Sequence, residues 1–166
     1  MGALRYRQVI DRLPEIDAFV AAFGEWVEAC WFAEQDRTQA RLEALLAFPP
    51  DVVLVGALWI LSRLLELSDP RGLAIGDVVD DDVTAGPDLA GALAAHLIIT
   101  GPDPARERLI RAGVVAAGAG PDARREVLAA YGAEAVEATA LECSSVLAQA
   151  LANRWGVVPT NILEDF

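Results

Sequence analysis

The sequence predicts an all-α protein, an irregular orthogonal bundle of about seven or eight helices. The corner tripeptide Gly-Pro-Asp occurs three times, at 86–88, 101–103 and 120–122. Glycine closes a helix, proline does not continue it, and aspartate caps the next one. Apolar residues recur every three or four positions, and no segment alternates as a strand does. The spacing of the corners resembles that of helical pairs in HEAT-type repeats, so a short HEAT-like α-solenoid is the alternative.

The first half of the chain predicts four helices followed by an irregular segment at 73–86. These helices are expected at residues 4–13, 15–34, 38–48 and 51–67. Pro14 separates the first two helices, and Asp51 is expected to cap the fourth. The fourth helix is apolar on nearly every side, which is typical of a helix in the middle of a bundle.

The second half predicts four more helices and a C-terminal tail. These helices are expected at residues 88–99, 103–118, 122–131 and 133–155, with Gly156 ending the last one. We therefore predict a single all-α domain over residues 1–156 and a tail over residues 157–166. The apolar residues of the tail are expected either to pack on the chain's own helices or to bind a neighbouring molecule.

Charge and apolar content restrict the class of partner. The net charge is −12, with 25 acidic residues against 13 basic ones, all arginine. This charge argues against nucleic acid or an anionic membrane as partner. Because 54% of the residues are apolar, we expect another chain to cover part of the surface, either a protein partner or a second copy.

The remaining composition indicates a cytoplasmic protein. Cys30 and Cys143 lack metal-binding spacing and are expected to be buried free thiols. The first ten residues are too polar for a secretory signal. The longest apolar stretch, residues 52–61, is too short to cross a bilayer. The absence of lysine beside abundant alanine, glycine and proline is typical of a high-GC bacterial or phage gene.

Carboxylates form three groups that invite a metal hypothesis. Two pairs, Glu25 with Glu28 and Glu134 with Glu137, are spaced one helical turn apart. If the two helices faced each other, the four carboxylates would hold a divalent metal, as in a small helical hydrolase or nucleotide-binding enzyme. We favour surface acids. The cluster from Asp77 to Asp82 lacks the ligand pattern of a calcium loop and is expected to be solvated.

Nucleophilic catalysis has little support in the sequence. His96 is the only histidine, and the serines nearest to a suitable context, Ser144 and Ser145, lie in mid-helix without a Gly-x-Ser-x-Gly turn. Cys143 with His96 is better explained as a core thiol beside a packed histidine. We expect no catalytic residue and no cofactor.

The sequence therefore favours a non-enzymatic interaction, assembly or adaptor protein. An acidic decoy of a nucleic-acid-binding surface is a further alternative. Candidate partner-binding residues are those that interrupt the apolar stripe, cluster as arginines or anchor the tail. They are Phe32, Arg106, Arg108, Arg111, Arg124, Arg125, Ile162, Leu163 and Phe166.

Overall fold

The computed structural model describes residues 14–67, 103–118, 121–164 and 166, and within these ranges the chain is helical without strands. The all-α prediction is confirmed. Seven helices lie in these ranges: α1 (Ile16–Trp31), α2 (Gln35–Leu46), α3 (Pro50–Leu67), α4 (Pro104–Gly118), α5 (Pro121–Tyr131), α6 (Ala133–Trp155) and α7 (Pro159–Leu163). The helices predicted at 4–13 and 88–99, the 77–82 acid cluster, the 86–88 corner and His96 lie outside the described residues.

The core forms where α3 and α6 pack against each other. Leu58 and Leu61 of α3, and Leu147 and Leu151 of α6, are almost completely buried. The prediction that α3 occupies the middle of the bundle is therefore confirmed. On one side α1 packs on α2 and α3, and on the other α4 packs on α6 and α5. The chain bends by 115° between α2 and α3, as expected of an orthogonal arrangement.

One glycine allows α1 and α3 to approach closely. A Cβ atom added at Gly56 would lie 2.6 Å from the ring of Phe19, well inside van der Waals contact. Phe19 is fully buried, and its ring meets that of Phe48 edge-on with centroids 5.6 Å apart. Gly56 therefore makes room for an aromatic side chain that anchors α1 to the core.

The helix starts correct part of the sequence prediction. Asp103 caps α4 as expected, since its Oδ1 accepts a hydrogen bond from the backbone N–H of Arg106 at 3.1 Å. Asp51 and Asp122 instead lie inside the first turns of α3 and α5, after the proline that begins each helix. Asp122 accepts a hydrogen bond from the Arg125 side chain at 3.1 Å. Because proline favours the first helical position, an aspartate that follows it falls inside the first turn rather than at the N-cap.

No single helix in the described ranges combines the length and apolarity that a membrane crossing requires.

Candidate functional site

The corner between α1 and α2 is closed by a left-handed residue. The backbone N–H of Glu34 donates to the carbonyl of Ala29 at 3.1 Å, and that of Ala33 donates to Cys30 at 3.1 Å. Ala33 has φ +55°. This pair of bonds around a left-handed residue is a Schellman closure, in which glycine is the usual occupant. The helix predicted to reach residue 34 therefore ends at Trp31.

Phe32 lies exposed at this corner. It is the C-cap residue of α1, and 56% of its surface is accessible to solvent. The sequence already placed it off the apolar stripe of α1. It has the highest exposed fraction among the large apolar side chains in the described part of the chain. A solvent-exposed aromatic ring next to a hydrogen-bonded turn is a feature that a partner can cover.

A cavity of about 310 Å³ opens beside Phe32 between α1 and α2. We call it the corner cavity, and its lining residues are Glu25, Glu28, Ala29, Phe32, Glu34, Arg37 and Arg41. The lining is mixed, with one aromatic ring and charges of both signs. Such a surface resembles the centre and rim of a protein interface more than a site for an apolar ligand.

Two ion pairs neutralise four of the charges around the corner cavity. Arg41 Nη1 lies 2.9 Å from Glu25 Oε2, and Arg37 Nη1 lies 2.9 Å from Glu34 Oε2. Glu28 is different. Its Oε1 accepts a long hydrogen bond of 3.4 Å from the hydroxyl of Thr160, and no arginine in the described chain pairs with it. Within the described ranges, the half-buried Glu28 carboxylate is therefore the charge of the cavity without a counter-ion.

The predicted metal alternative is not formed by the described residues. No group of three or more histidine, cysteine, aspartate or glutamate side chains is close enough to hold a metal ion there. Glu25 is paired with Arg41, and Glu28 with Thr160. At the start of α6, burial raises the pKa of Glu137, and the negative charge of Glu134 raises it further. Within the described ranges the Glu25–Glu28 pair on α1 and the Glu134–Glu137 pair on α6 therefore do not join into one metal site.

The arginine cluster is largely neutralised by acids of the same chain. Arg106 pairs with Glu142, while Arg111 bonds Glu107 at 3.1 Å. Arg125 bonds Asp122, as described above. Arg108 is exposed and Arg124 is half-buried. These residues lie on α4 and α5 as predicted, but paired carboxylates weaken any cationic patch they would form.

The tail packs on the chain's own helices. Ile162 and Leu163 are each only 5% exposed, and α7 contacts α1 and α6. The ring of Phe166 meets that of Trp59 edge-on at 6.0 Å, and the guanidinium of Arg63 lies 5.5 Å from the Phe166 ring centre. Of the two alternatives for the tail, the structure therefore shows packing on the chain's own helices. Ile162 and Leu163 are not accessible to a partner in this conformation.

The candidate nucleophiles lie at buried positions in the middle of α6. Cys143 is fully buried, and loss of hydration raises the pKa of its thiol to about 12. The Glu142 charge adds to this rise, while Arg106 opposes it. A thiol with this pKa is protonated at neutral pH and is a poor nucleophile. Ser144 is also fully buried, and its Oγ has no hydrogen-bond partner among the described residues.

Sequence reasoning missed most of the corner cavity. It found Phe32 and the Glu25–Glu28 pair, but not Glu34, Arg37 or Arg41. The predicted start of α2 at residue 38 left residues 35–37 outside any helix and put Glu34 at the end of α1, whereas α2 begins at Gln35. A predicted start of α2 at Gln35 would have placed the charges of Glu34, Arg37 and Arg41 opposite α1.

No protein-family model, curated protein or solved structure matches this chain.

Proposed function

We propose that this chain is a non-enzymatic helical interaction protein, and that it binds a segment of another protein at the corner cavity. The observation that carries the proposal is Phe32, which is 56% exposed beside a cavity with a charged rim. Binding energy in protein interfaces concentrates in a few aromatic and arginine anchors surrounded by a polar rim. The corner has this composition, and its closed backbone holds it in place before binding.

A different protein is favoured over a second copy as the partner. Each copy carries a net charge of −12, so two copies repel each other at low ionic strength. We further propose a cytoplasmic location, because both cysteines are free thiols and such thiols are typical of a reducing compartment.

The test is affinity capture with matched baits. Wild type, Phe32→Asp and Val115→Asp would each be immobilised and exposed to a lysate of the native host, with bound proteins quantified by mass spectrometry. Val115 is a suitable control because it is an exposed apolar residue, 48% accessible, on α4. We expect a protein that wild type and Val115→Asp retain and that Phe32→Asp loses.

Two further measurements make this result interpretable. The melting temperatures of all three baits should agree closely, because both substituted side chains are exposed. Light scattering at micromolar concentration should show monomers, in keeping with a partner of different sequence. Equal recovery of every captured protein by the three baits would overturn the proposed function.

A further inference from the structure

We propose that the corner cavity takes up a cationic side chain, an arginine within a basic segment of the partner. This inference rests on the proposed function and deepens it by naming the chemistry of the anchor. It starts from the juxtaposition of an exposed aromatic ring, Phe32, with the half-buried carboxylate of Glu28, both lining the same cavity.

The charge balance of the lining favours a cation over a neutral group. Arg41 and Arg37 are already paired with Glu25 and Glu34, which leaves the Glu28 carboxylate without a counter-ion among the residues that the structure describes. A neutral partner that covered Phe32 would remove water from Glu28 and leave that charge uncompensated, which is costly. A partner that supplies a positive charge avoids this penalty.

The chemistry of the two groups favours guanidinium in particular. Its planar face stacks on an aromatic ring, while its N–H groups donate to a carboxylate in the same plane. Phe32 and Glu28 offer one group of each kind. A lysine ammonium would satisfy the carboxylate but would not stack in this way.

The charge of the whole chain acts in the same direction. A net charge of −12 attracts a basic segment over a distance and raises its association rate at low salt. The long-range field therefore selects the same kind of partner as the local site does.

The experiment uses two small probes that differ in charge. N-acetyl-arginine amide and its neutral analogue N-acetyl-citrulline amide would be titrated into the ¹⁵N-labelled full chain at low salt and followed by NMR. We expect the arginine probe to shift the amide signals of Glu28, Phe32 and Ala33 with millimolar affinity. The citrulline probe should bind about tenfold more weakly or not at all.

Matched variants locate the effect. Glu28→Gln should weaken the arginine response about tenfold, while Glu126→Gln, an exposed acid on α5, should leave it unchanged. Equal responses to the two probes, or an unchanged response in a well-dispersed Glu28→Gln spectrum, would overturn the inference.

The two proposals fail in distinguishable ways. If Phe32→Asp loses a captured protein but the arginine probe does not bind near Glu28, the proposed function stands and the cationic anchor is wrong. If the arginine probe binds through Glu28 but no captured protein depends on Phe32, the proposed function is wrong and the inference about the partner fails with it.

Discussion

Helices α1 and α6 end with the same backbone closure, and both ends are exposed, with Phe32 56% and Trp155 48% accessible, yet the segments that follow them differ in burial. At the end of α6, the N–H of Val157 donates to the carbonyl of Ala152 at 3.0 Å, and Gly156 has φ +67°. At the end of α1 the equivalent left-handed residue is Ala33, with φ +55°. The two closures share their geometry but differ in the residue that occupies the strained position.

The two segments that follow the closures are buried to different extents. After Gly156 come Pro159, Ile162 and Leu163, and all three are buried although α7 is only five residues long. After Ala33 comes α2, twelve residues in which only Leu45 is fully buried. The comparison teaches that the closure sets the direction of the chain, while the apolar content of the next segment decides whether that segment is buried.

The largest expected effect is on stability, and it separates the buried segment that follows α6 from the exposed corner that follows α1. Leu163→Ala should lower the free energy of unfolding by about 2–4 kcal/mol, because it removes buried methyl groups and leaves a cavity. Phe32→Ala should change it by no more than about 0.5 kcal/mol, because the ring is exposed. Urea unfolding measures both. A loss of unfolding free energy in Phe32→Ala as large as that in Leu163→Ala would contradict the description of the α1–α2 corner as solvent-exposed.

The two thiols compare the exposed end of α1 with the buried middle of α6 by their reactivity. Burial raises the pKa of the half-buried Cys30 thiol near the exposed α1–α2 corner. It raises the pKa of the Cys143 thiol from 9.0 to about 12. The thiolate fraction of Cys143 is thus about a thousandfold below that of an ordinary thiol at neutral pH.

Iodoacetamide labelling of the Cys30→Ser and Cys143→Ser variants would measure each thiol alone. We expect Cys30 to react first. The rate at each site should rise about tenfold per pH unit while pH stays below the thiol pKa, because only the thiolate reacts. Faster labelling at Cys143 would contradict its burial and show that this part of α6 is accessible to solvent.

Exchanging the closing residues should give effects of opposite sign. Gly156→Ala should cost about 1 kcal/mol, because an L side chain is strained at this φ. Ala33→Gly should stabilise by up to about 1 kcal/mol, since it relieves the same strain. Thermal melting of both variants and of the double variant checks this. A destabilising Ala33→Gly would mean that unfolded-state entropy outweighs the strain.

The smallest expected effect concerns the contact that joins the two regions. The Thr160 hydroxyl of α7 donates to Glu28 of the corner cavity at 3.4 Å, a long and weak hydrogen bond. Thr160→Val should therefore cost only a few tenths of a kcal/mol. A double-mutant cycle with Glu28→Gln should give a coupling energy below about 0.5 kcal/mol. A coupling above about 1 kcal/mol would indicate that tail docking and the cavity act as one unit.

Local sequence signals predicted the helices well where glycine or proline marks the helix ends. The helix predicted at 133–155 is α6 without change, because Gly156 marks its end. The end of α1 was missed because Ala33 is a good helix former and gives no local signal of a left-handed turn. The candidate site was predicted only in part, because only some of its residues have a local signal in the sequence. Phe32 broke the apolar period, whereas the pairing of Glu25 with Arg41 joins two helices and has no local signature.

The sequence by itself determined the helical class, the burial of α3 and the strongly acidic charge. These properties follow from the period of apolar residues, from helix-ending glycine and proline, and from composition, all of which act over a few residues. Only the tertiary structure decided that α7 packs on α1 and α6, and that Glu28 lines the same cavity as Phe32 with no counter-ion in the described part of the chain. Those outcomes depend on which surfaces meet across long stretches of chain, and packing of the whole core sets them.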